Sequence, residues 1–302
     1  MKVLISGSSG LIGTELVRQL EARGDQAIRL VRRKAGGPNE IEWQPELGTL
    51  DPNSLDGVDA VVNLAGASIG KLPWTKAYKA EIIQSRLGAT ATLVKAINQR
   101  IAQGKTAPSV LISGSASGFY GDTGEHNVTE DSPSGNGFLA DLASKWEAEA
   151  SKVDGQVRLV LMRTSIVLSR KLGALGRLLA LVKLGIGGRL GSGKQWWAWI
   201  SLPDEVCAIL HLIDTQSAFG SFNLVAPEPA TCGQMVDGLG RALHRPTILP
   251  VPAFALRLIL GEGADEMLLG NQKLSANKLI SSGYEFNHPT LASACNWVVE
   301  KA

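Results

Sequence analysis

The sequence predicts an α/β fold: a doubly wound parallel sheet with helices on both faces, and a smaller, interleaved C-terminal lobe. Three observations predict it. Short continuous apolar runs alternate with segments of helical period through the first 168 residues. The first run ends in a glycine-punctuated turn at 7–13 that opens a helix. The chain has 302 residues, 44% of them hydrophobic. That length buries roughly three quarters of its unfolded surface, so the core needs neither disulfide nor metal.

Val3-Leu4-Ile5-Ser6 is apolar without alternation, as a strand covered on both faces must be. Residues 11–23 read as a helix, with Ile12, Leu16, Val17 and Leu20 on one face and Gly24 as its stop. Residues 27–31 form a second buried strand, Ile41-Glu42-Trp43 a short third, and Ala60-Val61-Val62-Asn63-Leu64 a fourth. A long helix follows over about 76–100, with Ile82, Ile83, Leu87, Leu93, Val94 and Ile97 as core candidates. Val110-Leu111-Ile112-Ser113 is the fifth strand, 140–151 a helix, and 158–168 the sixth strand. Beyond Leu168 the alternation loosens. Glycines crowd 173–193 and Trp196, Trp197 and Trp199 cluster. Residues 202–214 read as a helix returning to the first lobe, and Ser221-Phe222-Asn223-Leu224-Val225 as one more strand. The expected division is a first domain over 1–168, completed by about 202–226, and a smaller lobe from 169–201 and 227–302.

Lys plus Arg is 30 and Asp plus Glu is 28, a formal charge of +2. That balance argues against nucleic-acid binding as the main task. Cys207, Cys232 and Cys295 are distant and odd in number, with no histidine at ligand spacing. Neither a disulfide framework nor a metal site is expected, and reduced thiols in the cytoplasm are. Met1-Lys2 runs into a strand rather than a signal peptide, and no apolar stretch reaches 18 residues, so no membrane span is expected. The partner expected is a small molecule. Oligomeric state has no signature in the chain.

Gly7-Ser8-Ser9-Gly10-Leu11-Ile12-Gly13 sits between the first strand and first helix. In that context Gly7 permits a tight turn, Gly10 lets a pyrophosphate approach the backbone, and Gly13 lets helix and sheet pack closely. The helix N-terminus then offers free N–H groups to phosphates. The alternative is a glycine-rich turn without a ligand. The second strand ends in Val31-Arg32-Arg33-Lys34, where an NAD site usually places a carboxylate for the ribose 2′-hydroxyl. Guanidinium groups there suit a 2′-phosphate, so NADP is expected over NAD. Asn63-Leu64-Ala65-Gly66 ends the fourth strand, where the small residues let backbone pass beside the cofactor; an ordinary strand end is the alternative.

With these motifs the chain resembles the short-chain dehydrogenase/reductase superfamily, in its extended epimerase/dehydratase branch. Glu81-Ile82-Ile83-Gln84-Ser85-Arg86, Ser115-Ala116-Ser117-Gly118-Phe119-Tyr120-Gly121 and Gly191-Ser192-Gly193-Lys194-Gln195-Trp196-Trp197-Ala198-Trp199-Ile200 narrow the resemblance to an atypical group, some of whose bacterial members carry a cell-division-inhibitor label. Met267-Leu268-Leu269-Gly270-Asn271-Gln272 resembles that group's own C-terminal domain. The resemblance implies a Rossmann lobe with NADP held by the glycine loop (Gly7, Ser9, Gly10, Leu11, Ile12, Gly13), by Val31, Arg32 and Arg33, by Leu64, Ala65 and Gly66, by Glu81 and Arg86, and by the Val167 backbone.

The superfamily's chemistry rests on a serine and a Tyr-x-x-x-Lys pair one helical turn apart. Here Lys145 matches the lysine, but Asp141 stands at the tyrosine place, and Ser115 and Ser117 flank the serine position. The candidate catalytic residues are therefore Lys145, Ser115 and Tyr120. Lys145 is also a cofactor candidate, through the nicotinamide ribose. Trp199 and Arg189 are the candidate substrate-pocket residues, and a role for the indoles in joining the two lobes is the alternative. His126 and the acidic loop of Asp122, Glu125, Glu130 and Asp131 read as solvated rather than metal-binding. Two readings follow: an NADP-dependent oxidoreductase or epimerase-like enzyme on a small substrate, or a catalytically silent NADP(H)-binding sensor or interaction protein.

Overall fold

The computed structural model describes residues 1–170 and 176–300. The start of the glycine-crowded 173–193 stretch lies outside them.

β1 (Lys2–Ser6) is buried from Val3 onward, and α1 (Leu11–Ala22) lays Gly13, Leu16, Val17 and Leu20 against the sheet. Gly24, at φ +81°, ends that helix in a left-handed turn, where open space surrounds the Cα and the backbone angle alone favours glycine. β2 (Gln26–Val31), β3 (Glu40–Glu42), β4 (Ala60–Asn63), α2 (Lys76–Ala102), β5 (Val110–Ala116), α3 (Phe138–Ala150) and β6 (Arg158–Thr164) complete the alternation. α2 starts at the Thr75 side chain, which accepts the Tyr78 N–H. The 158–168 run, expected as one strand, divides at Ser165. Its N–H and hydroxyl both donate to the Leu224 carbonyl, at 3.2 and 2.7 Å, and the chain leaves the sheet there. β7 (Ile166–Leu168) then pairs with β9 (Trp199–Ser201), beyond α4 (Gly176–Lys183) and β8 (Trp196–Trp197).

α5 (Leu202–Asp214) carries the chain back to the sheet and β10 (Gly220–Leu224) pairs with β6. The seven strands run β3-β2-β1-β4-β5-β6-β10, every neighbouring pair parallel. This is the doubly wound sheet that the sequence predicts. One core lies under α1 and α5, with Ile5, Leu16, Val62, Met162 and Leu212. The other lies under α2, with Leu4, Ile28, Val61, Leu93 and Ile97. The C-terminal lobe holds β11 (Ala230–Thr231), α6 (Cys232–Leu243), α7 (Ala253–Leu260), α8 (Glu262–Ala264), α10 (Leu291–Val299) and the elements between β7 and β9, whereas α9 (Asn277–Ser281) packs on β10 with Leu279 in the first core. Its core holds Trp197, Trp199, Met235, Leu239, Leu291 and Val298.

From β1 the chain moves outward to β2 and β3, then crosses to β4 on the other side. Such a reversal opens a crevice at the strands' C-terminal ends. The register levels those ends, with Ser6 opposite Asn63 and Asn63 opposite Ser113. A buried polar chain braces them. Ser6 Oγ donates to Asn63 Oδ1 at 2.6 Å, and Asn63 Nδ2 and Trp146 Nε1 both donate to Thr90 Oγ1 at 2.8 Å. Two helices are thereby tied to the rim of the crevice. Among the described residues no helix is long and apolar enough to cross a membrane.

Candidate functional site

The three glycines of the first loop differ in how closely other backbone approaches them. Gly7, at φ +68°, would place a Cβ 2.5 Å from the Leu64 carbonyl oxygen. At Gly13 a Cβ would lie 2.3 Å from the Gly7 carbonyl oxygen. At Gly10 a Cβ would meet only that same oxygen, at 3.3 Å, and otherwise enter open space. Gly10 caps α1 with no side-chain bond, and the first turn carries no acidic residue. The N–H groups and partial positive charge of that helix end are left for a ligand.

The open space is a cavity of about 710 Å³. Gly7, Gly10, Leu11, Ile12, Gly13 and Leu64 form one end, and Ser115 and Val167 lie along its wall. Arg86 joins them. Its guanidinium donates to the carbonyls of Ala67 and Ile82, at 3.0 and 3.2 Å, and lies 5.3 Å from the Trp146 ring centroid. Burial lowers its pKa to about 10, which still leaves it cationic at neutral pH. Among the described residues it has no carboxylate within ion-pair distance. Ala65 and Gly66 follow Leu64 but do not line the cavity, and Gly66 packs on Arg86, where a Cβ would lie 3.0 Å from Cζ. Ser9 is exposed at the loop's tip, and Glu81 is exposed on α2 outside the cavity wall.

At the end of β2, Val31 is followed by two arginines in different states. Arg33 is held by Glu40 in a two-pronged pair at 2.7 and 2.6 Å. That pair and the Gly36 N–H lower the Glu40 pKa to about 2. Among the described residues Arg32 pairs with Glu46 alone, at 3.4 Å, and its side chain is 74% exposed. Arg32 and the exposed Lys34 are left to meet a phosphate, whereas Arg33 is held by Glu40.

Four expectations require correction. Lys145 and Asp141 are exposed, and neither lines the cavity. The α3 residues that do are Leu139, Leu142, Ala143 and Trp146. One residue turns a helix by about 100°, so the facing i, i+4 pair is Leu142 and Trp146. Tyr120 is 4% exposed and turned away from the cavity. Its hydroxyl donates to Asn223 Oδ1 at 2.7 Å and accepts from Arg163 at 2.8 Å, and burial raises its pKa to about 12. Trp199 is fully buried in the C-terminal lobe, its Nε1 donating to the Glu228 carbonyl at 3.0 Å. Of the Trp196-Trp197-Trp199 cluster, Trp196 and Trp197 line the cavity, on the strand that pairs with β11. Arg189 is exposed away from the cavity, its stem against Gly193.

Ser115 lines the cavity, but its hydroxyl donates to Glu147 at 2.6 Å. Glu147 pairs with Arg163 through both oxygens, at 2.8 and 2.9 Å. The far wall is formed by the C-terminal lobe and was missed by motif reasoning. It includes Arg257, Asp265, Glu266, Leu268 and Gln272. Arg257 pairs with Asp265 at 2.9 Å, Glu266 accepts the Phe138 and Leu139 N–H groups that begin α3, and Gln272 accepts from Ser117 at 2.6 Å. The signal was the run at Met267–Gln272, readable as a domain mark but not as a wall. The acidic loop is likewise a clamp. Asp122 accepts from Asn271, Glu125 from Trp196 Nε1, and Glu130 from the Asn223 N–H. His126 is exposed. Among the described residues no three metal-ligating side chains converge, and no tyrosine, lysine or histidine lines the cavity.

The family model for the NAD dependent epimerase/dehydratase family matches residues 3–224. This chain belongs to that family. A domain of unknown function, DUF1731, matches residues 251–298, the stretch that supplies the far wall. An epimerase family protein of Mycobacterium leprae is 38% identical over 300 residues, covering 99% of this chain and 96% of its own. The human epimerase family protein SDR39U1 is 36% identical over 302 residues, covering 99% and 100%. A crystal structure of that human protein with NADPH superposes with a TM-score of 0.92 at 33% identity over all of both chains. A nucleoside-diphosphate sugar epimerase of Corynebacterium glutamicum superposes at 0.78 and 30% identity, over 97% of this chain and 57% of that one.

Proposed function

We propose that this protein binds NADP(H) across the crevice and acts on a small molecule in the remaining cavity as an oxidoreductase or epimerase-like enzyme, without a catalytic tyrosine. The observation that carries the reading is the glycine loop. It leaves the uncapped end of α1 open to the cavity, which Arg86 lines, while Arg32 stands exposed at the end of β2, outside the cavity wall. The residues fit the cofactor: α1 would take the pyrophosphate, Arg32 the 2′-phosphate, and the Leu64 and Val167 walls the nicotinamide half. NADPH in the human relative supports the choice of cofactor. Bound NADP(H) supplies or accepts a hydride. Trp196, Trp197 and Leu268 offer a flat apolar substrate a wall, and the Arg257–Asp265 pair offers it a polar edge without net charge. The three free cysteines support a reducing, cytoplasmic setting.

The second reading, a silent NADP(H)-binding sensor, is favoured by Leu142 and Trp146 on the turn of α3 that faces the cavity. One experiment separates the two. The purified protein is denatured and its released nucleotides are identified, then NADPH oxidation is followed against quinones, aldehydes and sugar nucleotides. Release of NADP(H) with turnover of one class supports the enzyme. NADP(H) with no turnover supports the sensor, and no nucleotide bound at all would remove both.

A further inference from the structure

Behind the cavity wall lies a carboxyl group that the reading above leaves unused. Glu205, early in α5, is fully buried. Its Oε1 lies 2.8 Å from Thr164 Oγ1, and Thr164 lines the cavity. Its Oε2 has no hydrogen-bond partner among the described residues. A buried carboxylate with one oxygen unpaired is costly, whereas the carbonyl oxygen of a neutral acid bears that position far better.

Among the described residues the groups packed around α5 pair no cation with Glu205: Arg158 donates to the Leu212 and Ile213 carbonyls, Arg23 pairs with Asp214 and His211 meets Ser282, all at the far end of the helix. The neighbouring Asp204 is occupied by the Tyr284 hydroxyl, by Ser201 Oγ, and by Asn287 and His288, whose Nδ1 lies 3.4 Å from Oδ2. Tyr284 and Cys207 stand near, both pushed up by burial. On α1, Glu15 pairs with Arg18 and Glu21 with Arg29, toward solvent. β5, β7 and β9 carry no charged residue. Burial accordingly raises the Glu205 pKa to about 8.

The direction of the Thr164–Glu205 bond decides what the cavity meets. An ionised Glu205 can only accept, so Thr164 would turn its one proton inward. A protonated Glu205 donates from Oε1 and releases the Thr164 proton toward the cavity. We propose that Glu205 is a positioning residue that donates to Thr164 Oγ1 and so makes the Thr164 hydroxyl a donor to the carboxamide oxygen of bound NADPH. This rests on the NADP(H) reading. β6 lies three strands from β1, roughly 14 Å from the glycine loop and on the side away from Arg32. A dinucleotide anchored at Arg32 and the loop extends its nicotinamide toward that side.

The test is the ratio of the affinities for NADPH and adenosine 2′,5′-bisphosphate, measured by calorimetry from pH 7 to pH 9.5. Both carry the 2′-phosphate, so its titration cancels, and the dihydronicotinamide has no charge for an ionised Glu205 to attract. In the wild type the ratio falls about three- to tenfold as pH rises, the worth of one hydrogen bond. Glu205→Gln keeps a donor at every pH and holds the ratio flat at its neutral-pH value. Thr164→Val holds it flat at the reduced value, and carries the test with the wild type if the glutamine variant does not fold. A flat wild-type ratio with both ligands bound overturns the proposal, as does a fall that persists in Glu205→Gln. If neither ligand binds the wild type, the cofactor reading falls and takes the inference with it.

Discussion

Arg32 and Arg33 are adjacent in sequence and unlike in state, which makes the cofactor reading testable one side chain at a time. Removing a charge-assisted pair costs on the order of 1.5–3 kcal/mol. Arg32→Ala should therefore weaken NADPH by roughly ten- to a hundredfold and NADH little, in a fluorescence titration. Arg33→Ala should do much less, because Glu40 already holds that guanidinium. Equal loss of both cofactors in Arg32→Ala would make the residue structural. Tyr120→Phe should leave NADPH affinity unchanged and lower stability by about 1–3 kcal/mol, since a buried hydroxyl between Asn223 and Arg163 is lost. A binding defect in a stably folded Tyr120→Phe would return the tyrosine to the site. Glu205 governs stability through pH. Its folded pKa is about 8 and its ordinary value is 4.5, so between them the native state holds a proton that the unfolded chain has lost. Stability present below pH 4.5 is lost as pH rises toward 8. Glu205→Gln should melt higher than wild type at pH 8, by an amount worth a few kcal/mol, with the gap closing near pH 4. A constant gap across that range would remove the carboxyl's titration as its cause.

At the scale of elements, the βα turn separates positions that serve packing from the one that serves the ligand. Gly10→Val should abolish NADPH binding in a protein that melts near wild type, because its side chain enters the cavity end rather than a neighbour. Gly13→Val should fail differently. Its Cβ would overlap the Gly7 carbonyl, and forcing helix from sheet costs about 1–3 kcal/mol or more. If Gly10→Val binds NADPH at wild-type affinity, the turn is not the phosphate cradle. α3 teaches the complementary point. A match counted along the chain selected Lys145, but Leu142, Ala143, Trp146, Glu147 and Ala150 form its buried face, and that face sets the helix's rotation. Hydrophobic period was the better guide to which residues meet the cavity.

Across the whole molecule, the cavity exists because the C-terminal lobe closes over the sheet's edge. Glu266 accepts two N–H groups at the start of α3, from 128 and 127 residues away, in place of a local cap. A carboxylate there also meets the helix's positive end. Ser117–Gln272 and the Asp122–Asn271 bonds continue the junction, and Lys79 pairs with Glu262 at its margin. Glu266→Ala should lower stability by about 1–2 kcal/mol, the cost of a lost cap. It should also raise amide exchange at 138–142 and 265–272 together. Exchange rising in only one of the two segments would mean that the contact does not couple the lobes.

The local sequence carried the parallel sheet, the order of its elements, the glycine loop and the basic end of β2. Each depends on periods, glycine spacing or a short βαβ span, which neighbours along the chain can set. The division of 158–168 into two strands was not legible, because it turns on Ser165 bonding to Leu224, 59 residues away. Nor was the loss of Tyr120 to an Arg163–Asn223 network, the choice of Trp196 and Trp197 over Trp199, or the far wall of Arg257, Asp265 and Glu266. Those outcomes depend on which distant surfaces bury one another. A residue's type fixes what it can do, but only packing fixes what it faces and which of its polar atoms are already taken.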